Sequence, residues 1–173
     1  MRYPVLSWGL SLFLVAVGLS GCEKGSCEGV VCMNGGTCRN GRCRCPVGFE
    51  GSRCEIKLTD QWIGQYQGED RCIISGIIPP YSVSIQASPS YADLIEIERF
   101  ANLTCEGAPV KVQAQVQSGT TAQIPRQSLC NLRFVMEGRA TYNTSQRSIF
   151  IEYKIHDRQN NVQDSCSATL YKR

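Results

Sequence analysis

Val110-Lys111-Val112-Gln113-Ala114-Gln115-Val116-Gln117 alternates apolar and polar residues without a break. Successive side chains of an extended strand point to opposite faces, so a period of two marks a strand with one face on a core and one in water. A helix would need repeats near 3.6 residues. The same alternation returns at Tyr81, Val83 and Ile85 against Ser82, Ser84 and Gln86. It returns again at Ile149, Ile151, Tyr153 and Ile155 against Phe150, Glu152, Lys154 and His156. Weaker stretches of the same kind cover residues 62–72, 93–99, 121–124, 131–140 and 165–172, and clusters such as Ser118-Gly119 and Asn143-Thr144-Ser145-Gln146 separate them. Eight short strands predict an antiparallel all-β domain over residues 61–173, closed as an up-and-down barrel or packed as a sandwich.

Four cysteines bear on the topology. Cys72 ends the first of these strands and Cys166 begins the last, while Cys105 follows the third and Cys130 the fifth. In an eight-stranded meander all four fall at one end. Closing a barrel makes its first and last strands neighbours, so Cys72–Cys166 would staple the seam. Cys105–Cys130 would tie two loops over the same mouth. Of the pairings open to four cysteines, this one needs no strand to cross another.

The whole chain has 173 residues, 42% of them hydrophobic, enough for one modest core but not two large ones. Its 11 cysteines point to an oxidising compartment. A net charge of +3 is too small to suggest a nucleic-acid partner. The single histidine, His156, argues against a Ser–His triad and a multi-histidine metal site.

Residues 1–21 read as a secretory signal peptide, with Arg2 ahead of the apolar run Val5–Gly18, which is shorter than the roughly 20 residues a membrane span needs. The run ends in Leu19-Ser20-Gly21-Cys22, which resembles the lipobox of bacterial lipoproteins. That resemblance implies acylation of Cys22, cleavage before it, and anchoring to a membrane of the bacterial cell envelope, facing the periplasm or the outside. Parity agrees, since setting Cys22 aside leaves an even number of cysteines to pair. Residues 22–26 would then be the lipid-anchored tether.

Cys27, Cys32, Cys38, Cys43, Cys45 and Cys54 crowd residues 27–54, a segment too short to fold on apolar burial alone. Spacing does not choose among their pairings. The run from Cys38 through Cys43, Cys45, Gly48, Phe49 and Gly51 to Cys54, with Met33-Asn34-Gly35-Gly36-Thr37 before it, resembles an epidermal-growth-factor-like (EGF-like) module. The resemblance implies the pairs Cys27–Cys38, Cys32–Cys43 and Cys45–Cys54. Asn40-Gly41 is a two-residue hairpin signal between Cys38 and Cys43. That hairpin is shorter than is usual in the family, which argues against a growth-factor role. Calcium-binding relatives carry acidic ligands before the first cysteine, whereas this chain has Glu23-Lys24-Gly25-Ser26, so no calcium site is expected. Glu55–Asp60 reads as a short polar linker. Residues 22–54 hold Lys24, Arg39, Arg42, Arg44 and Arg53 against Glu23, Glu28 and Glu50, and residues 55–173 are balanced.

The β domain carries no nucleophile beside a base, no Gly-rich phosphate loop and no metal-ligand spacing, so neither enzyme activity nor a cofactor is expected. Glu96 and Glu98 share one strand face, which does not give the facing carboxylates of a glycosidase. The inward aromatics Phe134 and Tyr153 would fill the barrel or line a pocket. Trp62-Ile63-Gly64-Gln65-Tyr66 resembles the opening strand of lipocalin-like domains. Two functions follow as expectations. The first is a non-enzymatic, lipid-anchored envelope protein whose EGF-like module spaces a β domain from the membrane for contact with a protein or glycan. The second is a lipocalin-like carrier of a small apolar ligand.

Overall fold

The computed structural model describes residues 25–173, so the signal-like segment and Cys22 lie outside the described residues. The first part is held by crosslinks. Strands β1 (Thr37–Arg39) and β2 (Arg42–Arg44) form a hairpin with Cys38 opposite Cys43. Asn40 and Gly41 at its turn have φ of 53° and 74°, the paired left-handed geometry that an Asn-Gly hairpin adopts without strain. Strands β3 (Phe49–Glu50) and β4 (Ile56–Lys57) form a second small hairpin. Disulfides join Cys27 to Cys38, Cys32 to Cys43 and Cys45 to Cys54.

Residues 55–60 are not the free polar linker expected from their composition. Ile56 and Lys57 pair back onto β3, the Leu58 amide donates to the Gly48 carbonyl at 2.9 Å, and Leu58 and Thr59 are buried. Leu58 belongs to the core of the following domain, so the segment is a packed junction. Gly48 marks the contact. Its φ is +90°, and a Cβ there would stand 2.7 Å from the Ala92 carbonyl carbon of the barrel.

Eight long strands follow: β5 (Gly64–Cys72), β6 (Gly76–Ala87), β7 (Leu94–Glu98), β10 (Lys111–Ser118), β11 (Thr121–Leu129), β12 (Phe134–Asn143), β13 (Ser148–Asp157) and β14 (Val162–Lys172). Two short strands, β8 (Thr104–Cys105) and β9 (Ala108–Pro109), form a hairpin between β7 and β10. The eight long strands close in the order β10-β11-β12-β13-β14-β5-β6-β7. The first and last pair antiparallel from Cys72↔Cys166 to Tyr66↔Lys172, so the domain is a barrel and not a sandwich. Prolines set two local departures. β11 runs to Leu129, past the expected residue 124, because a register shift between Ile124 and Gln127 takes Pro125 out of the ladder. β6 starts at Gly76, upstream of the expected Tyr81, and Pro79 and Pro80 fall where the β5–β6 register shifts.

Alternation buries one face of the long strands, except at the start of β12, where Phe134, Val135 and Met136 are buried in succession. Val112, Ala114 and Val116 point inward, as do Val83, Ile85, Ile149 and Ile151, each contributing roughly 1.5–3 kcal/mol where a large aliphatic is removed from water. Trp62 and Tyr66 fill the end next to the EGF-like part: the Tyr66 hydroxyl donates to the Trp62 carbonyl at 2.8 Å, and the Trp62 and Tyr142 rings lie 5.5 Å apart. At the opposite end a single 3₁₀ turn, Phe100–Asn102, packs beside the upper half of β6, which β7 pairs only over Ser84–Ala87. Phe100 meets Tyr153 edge-on at 4.9 Å.

Candidate functional site

The turn Cys72-Ile73-Ile74-Ser75-Gly76 joins β5 to β6 at the end away from the EGF-like part, and four ties hold it. Cys72 is disulfide-bonded to Cys166, its partner in register across the barrel seam. The Ile73 amide donates to the Ser165 carbonyl at 3.1 Å. The Ile74 and Ser75 amides donate to the two carboxylate oxygens of Asp164 at 3.0 and 2.8 Å. Burial alone would raise the Asp164 carboxyl; the amides of Ile74, Ser75 and Ser165 outweigh it and hold the group below the usual carboxylate range. The disulfide closes a separation of 94 residues, a constraint on the unfolded chain of about 4–5 kcal/mol in the chain-entropy account.

This rigid turn displays apolar side chains to solvent. Ile73 is 82% exposed, Ile74 65%, and Ile77 just beyond them 67%. Exposed single aliphatics are ordinary, whereas two on one tied-down turn with a third at the start of the next strand are a concentration of apolar surface. Across the same rim, Leu132 stands exposed on the β11–β12 turn, where Cys130, Asn131 and Leu132 take left-handed φ of 52°, 51° and 70°. The turn is tied at Cys130 by the disulfide to Cys105 and by the Arg133 amide, which donates to the Cys130 carbonyl at 3.0 Å. These left-handed residues also make β12 begin at Phe134 and not at the expected residue 131.

Beneath the rim lies a cavity of about 290 Å³, lined by Ile78, Leu103, Phe134, Tyr153 and Ile155 together with the polar Ser75, Asp157, Asn160 and Asp164. Tyr153 connects it to a buried carboxylate absent from the sequence-based candidates. Asp70 is fully buried and accepts from the Tyr81 and Tyr153 hydroxyls, each at 2.5 Å. The Ala101 amide in turn donates to the Tyr81 oxygen at 3.0 Å. Burial pushes the Asp70 carboxyl up against the opposing pull of its two tyrosines, and it pushes both tyrosines above their ordinary range, with the Asp70 charge adding to the effect. Inward parity was the available signal, since Asp70 lies four residues after inward Tyr66 on the same strand.

Outside the barrel, a groove of about 650 Å³ runs from Ile73 past Arg71, Arg139, Glu152 and Lys154, so the apolar turn borders a polar, mixed-charge surface. The remaining candidates stay apart from the rim cavity. Glu96 pairs with Lys111 at 3.3 Å on the outer face, Glu98 is half-buried on the same strand, and His156 is half-buried on β13 opposite Val135 and Gln163. Cys72, Asp164 and Cys166 bring ligand atoms within 4.8 Å of one another, yet both sulfurs are committed to the seam disulfide.

No protein-family model matches the chain. Pikachurin of Bos taurus is 35% identical over 63 residues, covering 34% of this chain and 6% of its own length. Netrin-G2 of Mus musculus is 40% identical over 62 residues, 34% of this chain and 10% of its own. Fibrillin-3 of Homo sapiens is 40% identical over 55 residues, 30% of this chain and 2% of its own. The chain therefore spans a tenth or less of these relatives. Among solved structures, a redesigned β-barrel matches with a TM-score of 0.47 at 11% identity, over 69% of this chain and 97% of that one. A Bacteroides ovatus structural-genomics protein of unknown function matches with a TM-score of 0.45 at 16% identity, over 65% and 42%. The first part of the chain is thus a disulfide-rich segment with the three crosslinks that its resemblance to EGF-like modules implies, followed by a closed eight-stranded antiparallel barrel.

Proposed function

We propose that this chain is a non-enzymatic, lipid-anchored protein of the bacterial cell envelope, in which the EGF-like module is a membrane-proximal spacer and the far rim of the barrel docks a protein partner. The observation that carries the reading is the rigid apolar turn: Ile73, Ile74 and Ile77 stand in water on a segment fixed by a disulfide and by Asp164. Displaying three isoleucines is unfavourable for a solitary protein and favourable at the desolvated centre of an interface. Holding them rigid lowers the entropy lost on docking. The neighbouring polar groove supplies the hydrogen-bonding margin that such centres have. The lipobox-like Leu19-Ser20-Gly21-Cys22 supports the anchor and the five disulfides support an oxidising location.

The test is site-specific photo-crosslinking in producing cells, with the crosslinker at Ile74 and, as control, at exposed Thr141 on the barrel wall. One discrete adduct from Ile74 alone, lost when Ile73 and Ile77 become Ser, supports the reading. Equal patterns from both positions overturn it.

A second reading, a carrier of a small apolar ligand, draws on the cavity under the rim. Its volume of about 290 Å³ lies at the lower edge of the roughly 300–1,000 Å³ usual for ligand pockets, and Trp62, Tyr66 and Met136 fill the barrel below. Native mass spectrometry of protein purified from its host distinguishes the readings, since a carrier retains bound mass.

A further inference from the structure

We propose that one face of the EGF-like hairpin is a docking surface for anionic phospholipid headgroups. Arg39 and Arg42 are direct partners across β1 and β2, and Arg44 lies opposite Thr37. Alternation along each strand sets Arg39, Arg42 and Arg44 on one face and Cys38 and Cys43 on the other. The arginines are exposed and the cysteines half-buried. Like charges placed directly opposite destabilise a strand pair, and here the Cys27–Cys38 and Cys32–Cys43 disulfides hold the pair regardless. Among the described residues the ion pairs use Arg71, Lys111, Arg126 and Arg133, and none uses these three. The hairpin thus presents three cations on a face a few residues wide.

Their position decides what they meet. A Cβ at Gly25 would stand 2.7 Å from the Asn40 carbonyl oxygen, and one at Gly41 would stand 3.3 Å from the Gly25 Cα. The chain therefore enters the module directly against the turn between Arg39 and Arg42. Gly25 is three residues from Cys22, a reach of at most about 11 Å in extended chain. This placement rests on the reading of Cys22 as acylated: lipid inserted there brings the arginines to about a Debye length of the headgroups, roughly 8 Å at physiological salt. Each basic side chain so placed strengthens binding roughly fivefold, and three together on the order of a hundredfold. Gly48 and Glu50, outside the hairpin, lie against the barrel.

The experiment uses the whole oxidised chain from residue 23, without acyl groups, and vesicles of phosphatidylglycerol or of phosphatidylcholine. The expected result is low-salt binding to phosphatidylglycerol only, lost in high salt. Changing Arg39→Gln, Arg42→Gln and Arg44→Gln together should weaken it on the order of a hundredfold while the unfolding temperature stays unchanged or rises. Equal binding by both proteins, equal binding to both lipids, or retention on heparin with none on phosphatidylglycerol would each overturn the proposal. The anchor is tested separately by Cys22→Ser in cells, where release into the soluble fraction supports acylation, and that outcome does not depend on the arginines.

Discussion

Tyr153 and Asp70, 83 positions apart in the chain, share one hydrogen bond of 2.5 Å inside the barrel, and Tyr81 reaches the other oxygen of the same carboxylate. Two hydroxyls replace part of the water that the carboxylate loses, yet burial still dominates and the Asp70 carboxyl sits above its ordinary value. Between the unfolded and the raised folded value, the native chain keeps a proton that the unfolded chain has released. Stability from this group therefore falls as pH rises through that window and is lowest above it. Asp70→Asn should flatten that slope and leave stability at neutral pH equal or higher, as read by urea unfolding across pH. Asp70→Leu strands both hydroxyls and should cost about 2–4 kcal/mol. A steeper slope in Asp70→Asn would contradict the assignment.

Asp164 has the opposite sign. Its folded-state value lies below the unfolded one, so its contribution is complete above the ordinary carboxylate range and is lost as pH falls through the folded value. Asp164→Ala should cost about 2 kcal/mol from the bonds to Ile74 and Ser75. Amide hydrogen exchange at those two residues should accelerate while the strand amides of β12 stay protected. Unchanged exchange at Ile74 and Ser75 would show that the carboxylate does not hold the turn.

Trp62 closes the barrel next to the EGF-like module and is fully buried, and its indole nitrogen has no hydrogen-bond partner among the described residues. Trp62→Ala should destabilise the barrel by about 3–5 kcal/mol through the cavity it opens. Trp62→Phe should cost much less, because it loses volume and no hydrogen bond. Chemical denaturation of the two variants checks the ordering.

Gly48→Ala should act at the junction. The substitution forces a side chain into φ +90° and against Ala92. Residues 55–60 should become sensitive to limited proteolysis, and the barrel's denaturation midpoint should fall modestly as Leu58 loosens from its core. A fall in barrel stability with no new cleavage would place the strain elsewhere.

Much of this architecture is local and therefore legible in the chain. Alternation at 81–86, 110–117 and 149–156 depends only on which face each residue meets, and a barrel wall with one wet side preserves that pattern. Asn40-Gly41 writes its hairpin in two residues. Other features depend on partners far away. Leu58 and Thr59 look like part of a polar joint until the EGF-like module packs against the barrel and buries them. Pro125 shortens the apparent strand because a one-residue register shift, which rescues it, is a property of the pairing with β12. Ile73 and Ile74 face solvent because Cys166 and Asp164, far along the chain, fix their turn. By itself the sequence determined the strands and the hairpin, where each residue's environment repeats with its neighbours. Closure of the barrel, the burial of Asp70 between two tyrosines and the exposure of the isoleucine turn were decided by tertiary structure, because each depends on groups brought together from distant parts of the chain.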